Sequence, residues 1–341
     1  MKTDDFDYEL PASAIAQKPI EPRDAARLLL TDTLEDRSFR DLPERLRSGD
    51  LLVVNRTRVR AARLRGVKRD SGGAVEVLLI RRRDERHWEG LIKPARRIRA
   101  GTLLDLGRIR GTVVTDPERG EVVVSLRAPG QDIEEALAEE GEIPLPPYIH
   151  IPLDDDERYQ TVFARTLGSA AAPTAALHFT TEVLEELGRR GVAIAEVELD
   201  IGLDTFRPIA TDSIKQHSMH REAWRVPGAA AEAVAACRRR DGRIIAVGTT
   251  VVRTLESAAT RGRAIAAGSG STDLFIMPGY RLQVVDCVLT NFHAPRTTLI
   301  VMIAAILGER WREVYEHALA AGYRFLSLGD AMLIEHPVNR P

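Results

Sequence analysis

The run Arg243-Ile-Ile-Ala-Val-Gly248-Thr249-Thr250-Val-Val-Arg253-Thr-Leu-Glu256 changes character at its glycine. Ahead of Gly248 stand four apolar residues with no polar alternation, the pattern of a strand covered on both faces, as in the parallel sheets of α/β proteins. Beyond it, residues 251–259 carry helical spacing, with Thr249 or Thr250 placed as the cap. A strand that turns through glycine into a helix aims free N–H groups and a positive dipole end at the carboxyl edge of the sheet, where ligands of such folds gather. Arg253 is placed to reach a carboxylate or phosphate and Glu256 to accept from a hydroxyl. A purely structural reading fits as well: the threonines cap, and Arg253 pairs with Glu256 at i, i+3. The run is neither a P-loop nor a G-x-G-x-x-G fingerprint, so nucleotide binding in those forms is not indicated.

The same alternation extends through the second half of the chain. Thr180 caps a helix over 181–190 that Gly191 ends, and a strand over 192–201 follows. Helices over 229–240, 298–307 and 312–321 and a strand over 282–289 complete a mixed α/β pattern. Residues 61–126 differ. Short β-rich runs at 62–67, 74–80, 88–92, 102–106, 111–115 and 121–126, spaced by Gly, Asp and Pro turns, predict a small antiparallel barrel. Pro144, Pro146 and Pro147 stiffen an extended exit from it. With 341 residues, more than one hydrophobic core sustains, the expected organisation is a discontinuous α/β catalytic domain of residues 1–60 and 147–341 with a β-barrel domain, 61–146, inserted.

Composition excludes a disordered or fibrous chain, since 44% of residues are hydrophobic against 29% charged. Two cysteines, Cys237 and Cys287, make no disulfide framework and no zinc spacing. The acidic start MKTDDFDYELP lacks the features of a signal peptide, and the longest apolar run, 299–307, is too short to span a bilayer, so a cytoplasmic protein is expected. Only five of 48 basic residues are lysines, which leaves most positive charge on forked guanidinium groups.

Four histidines stand in segments crowded with small polar or aromatic residues. His178 precedes the helix capped by Thr180, His217 and His220 flank Ser218-Met219 just before Glu222, and His293 ends the run Thr290-Asn291-Phe292. Loops at strand ends collect catalytic residues, and general acid or base use suits these groups better than metal binding. His217, His220 and Glu222 lack the i, i+4 spacing of a helical zinc pair, and no metal is expected. Asp330, after Gly329, reads as a cap or as a catalytic carboxylate.

Together these segments resemble one family along essentially the whole chain: the S-adenosylmethionine:tRNA ribosyltransferase-isomerases of queuosine biosynthesis. The resemblance is carried by Phe6-Asp7-Tyr8-Glu9-Leu10-Pro11, by Gly49-Asp50-Leu51-Leu52-Val53 with Asn55, Arg58 and Arg63, and by Pro144-Leu-Pro-Pro-Tyr148-Ile149. It continues through Tyr159-Gln160-Thr161-Val162-Phe163, Ala171-Ala172-Pro173-Thr174, Leu177-His178-Phe179, Met219-His220 with Glu222, and the Gly248 turn to Glu256. Pro278-Gly279-Tyr280, Thr290-Asn291-Phe292-His293 and residues 327–333 complete it.

The resemblance implies transfer of the ribosyl part of S-adenosylmethionine onto 7-aminomethyl-7-deazaguanine at the wobble position of tRNA. Isomerisation to an epoxy-cyclopentane then gives epoxyqueuosine-tRNA and releases adenine and methionine. The positive sulfur acidifies the neighbouring C5′ hydrogens, so a positioned base must remove one and a donor must help adenine leave. S-adenosylmethionine is consumed as donor, no other cofactor is implied, and a monomer is expected. Carried over residue by residue, the catalytic candidates are His178, His220, Glu222, His293 and Asp330. The substrate-binding candidates are Asn55, Arg58, Arg63, Tyr148, Gln160, Thr161, Pro173, Thr174, Phe179, Thr205, Phe206, Arg207, Gly248, Thr249, Thr250, Arg253, Glu256, Asn291 and Phe292. The chain departs from the family pattern Leu-His-Val-Gly-x-Gly-Thr-Phe at Leu199-Asp200-Ile201-Gly202-Leu203-Asp204-Thr205-Phe206, where Asp200 and Asp204 replace a histidine and a glycine. Trp224 stands where an aromatic residue, often Tyr, is expected, and Leu326 and Leu328 stand where aromatic residues are common. A diverged paralogue with another acceptor, or a non-catalytic RNA-binding protein, are the competing readings.

The net charge of -2 hides an asymmetry. Residues 50–110 hold 17 Lys+Arg and 7 Asp+Glu, while the rest holds 31 and 43. A basic inserted module suits contact with a tRNA backbone.

Overall fold

In the computed structural model of the chain, residues 1–202, 207–219 and 221–338 are described. Two compact units emerge. The first comprises Met1–Thr57, Pro146–Thr166 and Ala172–Pro341, and the second Arg58–Leu145 with Leu167–Ala171. In chain order the first unit opens with strands β1 (Arg27–Leu30), β2 (Glu35–Ser38) and β3 (Leu51–Asn55). The second supplies β4 (Arg63–Lys68), β5 (Ala74–Arg82), β6 (His87–Lys93), β7 (Leu103–Leu106), β8 (Ile109–Val113), β9 (Glu121–Arg127) and helix α1 (Ile133–Glu140). Back in the first unit follow α2 (Thr181–Arg189), β10 (Ala193–Leu199), β11 (Glu222–Val226), α3 (Gly228–Arg239), β12 (Ile244–Val247) and α4 (Thr249–Ser257). The last elements are β13 (Gly268–Thr272), β14 (Cys287–Asn291), α5 (Thr298–Leu307), α6 (Trp311–Ala320) and β15 (Ala331–Ile334).

Nine strands of the first unit form one mixed sheet in the order β13-β11-β10-β3-β12-β14-β15-β1-β2. The central four, β10, β3, β12 and β14, are parallel neighbours. Their apolar runs are buried on both faces, and the period of two is visible in the packing. Leu51, Val53, Ile244 and Ala246 enter one core with α3, α4 and α5, while Leu52, Val54, Ile245 and Val247 enter the other with α2. Each such side chain withdrawn from water contributes about 1.5–3 kcal/mol, so the strand carrying the Gly248 turn is firmly placed. Among the described residues no helix is long and apolar enough to cross a membrane.

The second unit is a closed antiparallel barrel in the order β9-β6-β5-β4-β7-β8, the inserted β-barrel read from the spacing of short runs. Alternation sends Val75, Val77, Leu79, Trp88 and Ile92 inward, and closure leaves no free strand edge. Gly66 lies where a Cβ would sit 2.0 Å from the Asp105 carbonyl oxygen, so only glycine permits that strand approach. As a whole the unit holds 18 Lys+Arg and 15 Asp+Glu. The excess counted over 50–110 shrinks because acidic α1, with Glu134, Glu135, Glu139 and Glu140, belongs to the barrel as well.

Two local expectations are corrected. Residues 282–286 do not extend the strand that begins at Cys287: the N–H groups of Gln283, Val284 and Val285 all donate to the Glu256 carboxylate instead of to a neighbouring strand. Neither Thr249 nor Thr250 is the cap of α4. Gly248 is, in the left-handed region at φ 89°, and no side chain caps the helix.

Candidate active site

The parallel strands β12 and β14 end side by side, and a cavity opens at their carboxyl ends. It encloses about 610 Å³ of non-atom space, the open solvent at its mouth included. The Gly248 turn forms one wall. Gly248 N–H donates to the Leu289 carbonyl at 2.7 Å, fixing the turn against β14, and Val251 and Val252 both donate back to the Gly248 carbonyl. The N–H groups of Thr249 and Thr250 precede the first intrahelical bond and have no acceptor within the helix. Thr250 Oγ1 is buried and has no hydrogen-bond partner among the described residues. A buried hydroxyl left unpartnered costs stability, so its position at a cavity wall marks a place made for a ligand atom.

The facing wall comes from the end of β14. The Thr174 hydroxyl donates to Asn291 Oδ1 at 2.8 Å. Asn291 Nδ2 lies 3.3 Å from both His178 Nε2 and the Asp330 carbonyl oxygen. Since Nδ2 donates, neutral His178 carries its proton on Nδ1. His293 lines the cavity, its Nε2 3.0 Å from Thr290 Oγ1. Its backbone is clamped by two tyrosines, its N–H donating to Tyr315 OH and its carbonyl accepting from Tyr8 OH. Burial pushes the His293 pKa down to about 3, so the ring is neutral at physiological pH. On the remaining side Tyr148 OH and Ser327 Oγ lie 2.6 Å apart, and burial raises the Tyr148 pKa well above its ordinary value, keeping the phenol protonated.

Beside this cavity, with Leu299 lining both, lies a smaller one holding His217, Met219, Phe275 and Met302 around the buried ion pair of Arg253 and Glu222. Arg253 also donates to the carbonyls of Leu274 at 3.1 Å and Thr272 at 3.3 Å, and Glu222 accepts from Gly202 N–H at 3.1 Å.

The model of the queuosine biosynthesis protein family matches residues 3–334 of the chain. The chain belongs to that family. A relative from Symbiobacterium thermophilum, named S-adenosylmethionine:tRNA ribosyltransferase-isomerase, is 49% identical over 341 residues, covering 98% of this chain and all of the relative. A relative of the same name from Heliobacterium modesticaldum is 50% identical, covering 96% and 98%. The crystal structure of an S-adenosylmethionine tRNA ribosyltransferase from Thermotoga maritima is 36% identical, covers 96% of this chain and 99% of its own, and superposes with a TM-score of 0.54. The family member described here is thus an enzyme of queuosine synthesis.

Around the main cavity the fold gathers Tyr148, Pro173, Thr174, Gly248, Thr249, Thr250, Asn291, Phe292 and His293 from four separate stretches of the family motif. Ser327, Thr290, Thr297 and Leu326 also line it and were not among the substrate-binding candidates taken from the sequence. Ser327 had a signal, its place two residues before Gly329-Asp330. His220, Asp204, Thr205 and Phe206 lie outside the described residues. Arg207 and Asp200 are exposed, and Arg58 and Arg63 belong to the barrel unit.

Several candidates prove structural. Asp330 is saturated: one oxygen accepts from Arg27 N–H and the Arg324 guanidinium, the other from Arg324 N–H, so it braces the loop that carries Ser327. Glu256 lies two turns down α4 from the cavity and accepts from Tyr280 OH and three backbone N–H groups, which leaves nothing for substrate. Arg253 pairs with Glu222, not with Glu256. Asn55 is consumed in joining β3 to β10, donating to the Leu199 carbonyl and accepting from Thr57 and Leu199 N–H. Phe179 is fully buried against Phe39 and Phe163. Thr161 Oγ1 accepts from Phe163 N–H, and the Gln160 carbonyl accepts from Arg23. His178 stands behind Asn291 rather than in the cavity, facing a small recess with Arg23 and Arg158. Burial lowers its pKa to about 4.

Proposed function

We propose that this enzyme transfers and isomerises the ribosyl moiety of S-adenosylmethionine onto 7-aminomethyl-7-deazaguanine at the wobble position of tRNA. Epoxyqueuosine-tRNA, adenine and methionine are the products. The observation that carries the reading is the unpartnered Thr250 hydroxyl beside the open N–H groups of α4, at the ends of parallel strands and opposite Asn291 and His293. The full-length relatives bear the name of this activity.

In this reading Thr250 Oγ1 and the Thr249 and Thr250 N–H groups hold the ribose or adenine edge, and Asn291, its amide oriented by Thr174 and His178, holds a second polar edge. His293 is the base. It is the one imidazole or carboxylate lining the main cavity among the described residues, placed to take the C5′ proton that the sulfonium acidifies. The protonated Tyr148–Ser327 pair supplies a hydroxyl donor toward the departing adenine. S-adenosylmethionine is substrate, and the reaction as proposed draws on no further cofactor. Replacing His293 by Gln, which keeps a hydrogen-bonding edge but accepts no proton, removes a general-base contribution of about 10²–10⁴ in kcat with KM nearly unchanged. A variant retaining full adenine release removes His293 from that role.

A further inference from the structure

We infer that the loop joining β6 to β7 is the part of the barrel unit that grips the RNA phosphate backbone, through Lys93, Arg96, Arg97 and Arg99. This rests on the tRNA reading above and adds to it a surface outside the cavity. The arginines on the barrel strands are largely spoken for. Arg60 and Arg82 share Glu134, Arg69 and Arg110 share Asp105, Arg81 and Arg83 share Glu89, and Arg108 pairs with Glu139. The four cations of the loop differ. All are exposed, residues 93–101 include no acid, and none of the four pairs with a carboxylate among the described residues.

The loop is built rather than loose. Ile98 plugs into the barrel core at 1% exposure, with Lys93, Arg96 and Arg97 before it and Arg99 after it. Arg97 holds φ 79°, a backbone conformation disfavoured for any residue with a Cβ and sustained here by its anchored neighbour. Ala100 N–H donates to Asp116 Oδ1 at 2.8 Å, Arg99 N–H to Thr102 Oγ1 at 3.2 Å, and the Arg99 guanidinium to the Ile98 carbonyl at 2.8 Å. Four uncompensated cations on a pinned turn, with no aromatic ring among them, suit a run of phosphates and not the stacking or edge reading of bases.

The test is titration of tRNA bearing 7-aminomethyl-7-deazaguanine at the wobble position, between 50 and 200 mM KCl. It uses the intact protein, the variant Lys93→Gln/Arg96→Gln/Arg97→Gln/Arg99→Gln, and the control Arg81→Gln/Arg83→Gln. Four lost phosphate contacts lower the slope of log affinity against log salt by about 3, so over this range the intact protein loses roughly 60-fold more affinity than the quadruple variant. The control keeps the intact slope. Adenine release at saturating tRNA keeps its kcat in the quadruple variant while KM for tRNA rises, which shows that the cavity is intact. A quadruple variant with the intact slope overturns this inference alone. An intact protein that binds no tRNA overturns both it and the function proposed above. Poly-glutamate that competes for the loop where tRNA does not assigns the surface to an acidic protein partner and overturns it too.

Discussion

Thr250 states the account at the scale of one residue. Its hydroxyl is buried without a partner among the described residues, so Thr250→Val, of the same shape, removes an unmet polar group. The folded state keeps or gains stability, while loss of one neutral hydrogen bond of about 0.5–1.5 kcal/mol raises KM for S-adenosylmethionine roughly two- to tenfold. Thermal unfolding and steady-state kinetics on the same variant read the two signs. The histidines give a pH dependence. In the folded chain the pKa values of His178 and His293 are lowered to about 4 and about 3, whereas in the unfolded chain both titrate near 6.5. Above pH 6.5 both states are neutral and the two residues are indifferent to pH. Below it the unfolded chain takes up protons that the folded chain refuses, so stability is lost as pH falls, by about 2 kcal/mol per histidine at pH 5. Urea unfolding at pH 7 and pH 5 measures it, and His178→Gln shows a drop smaller by about 2 kcal/mol. These roles were half legible. His293 and Asn291 stand where strand-end reasoning put them, but no spacing rule shows that His178 supports Asn291 from behind or that Asp330 is spent on Arg324.

At the scale of elements, the strand–glycine–helix unit was read correctly as a unit and wrongly as a cap. The sequence offers two threonines at the right place, but Gly248 takes the N-cap position at φ 89° and α4 begins without a side-chain cap. In Gly248→Ala the new Cβ meets only ordinary contacts at 3.7 Å from Ala175 and Thr250. The cost is therefore backbone strain of about 1–2 kcal/mol, and kcat/KM falls by more than that stability loss explains because the N–H groups move. Glu256 shows why 282–289 misled. Its carboxylate organises the loop by taking three backbone N–H groups that a strand would have used, and a partner some thirty residues away leaves no local pattern. Glu256→Gln turns one acceptor into a donor against those groups. It lowers stability by about 3 kcal/mol yet keeps kcat in the folded fraction, which separates a brace from a substrate ligand. Helix α1 escaped the sequence reading because it is short and follows Pro129-Gly130, while α5 was legible to the residue as an apolar run, its Thr297 cap emerging only in the fold.

For the whole molecule, the mixed α/β pattern and the inserted barrel were legible because each rests on periodicity, 3.6 against 2, sustained over many residues. Charge was legible only as an inventory. Counted along the chain it marks residues 50–110 as basic; in the fold most of those guanidinium groups meet carboxylates, several of them on α1, and among the described residues the longest run of cations without such a partner is Lys93, Arg96, Arg97 and Arg99. Function was carried less by any one motif than by the way scattered segments converge on a single cavity at the ends of β12 and β14. That convergence is tested most directly by incubating the protein with S-adenosylmethionine and tRNA bearing 7-aminomethyl-7-deazaguanine, and measuring adenine against time. The account predicts adenine and methionine in equal amounts, one of each per tRNA modified, and none with unmodified tRNA. Adenine that forms regardless of the tRNA base, or a methyl group transferred with S-adenosylhomocysteine as product, contradicts it.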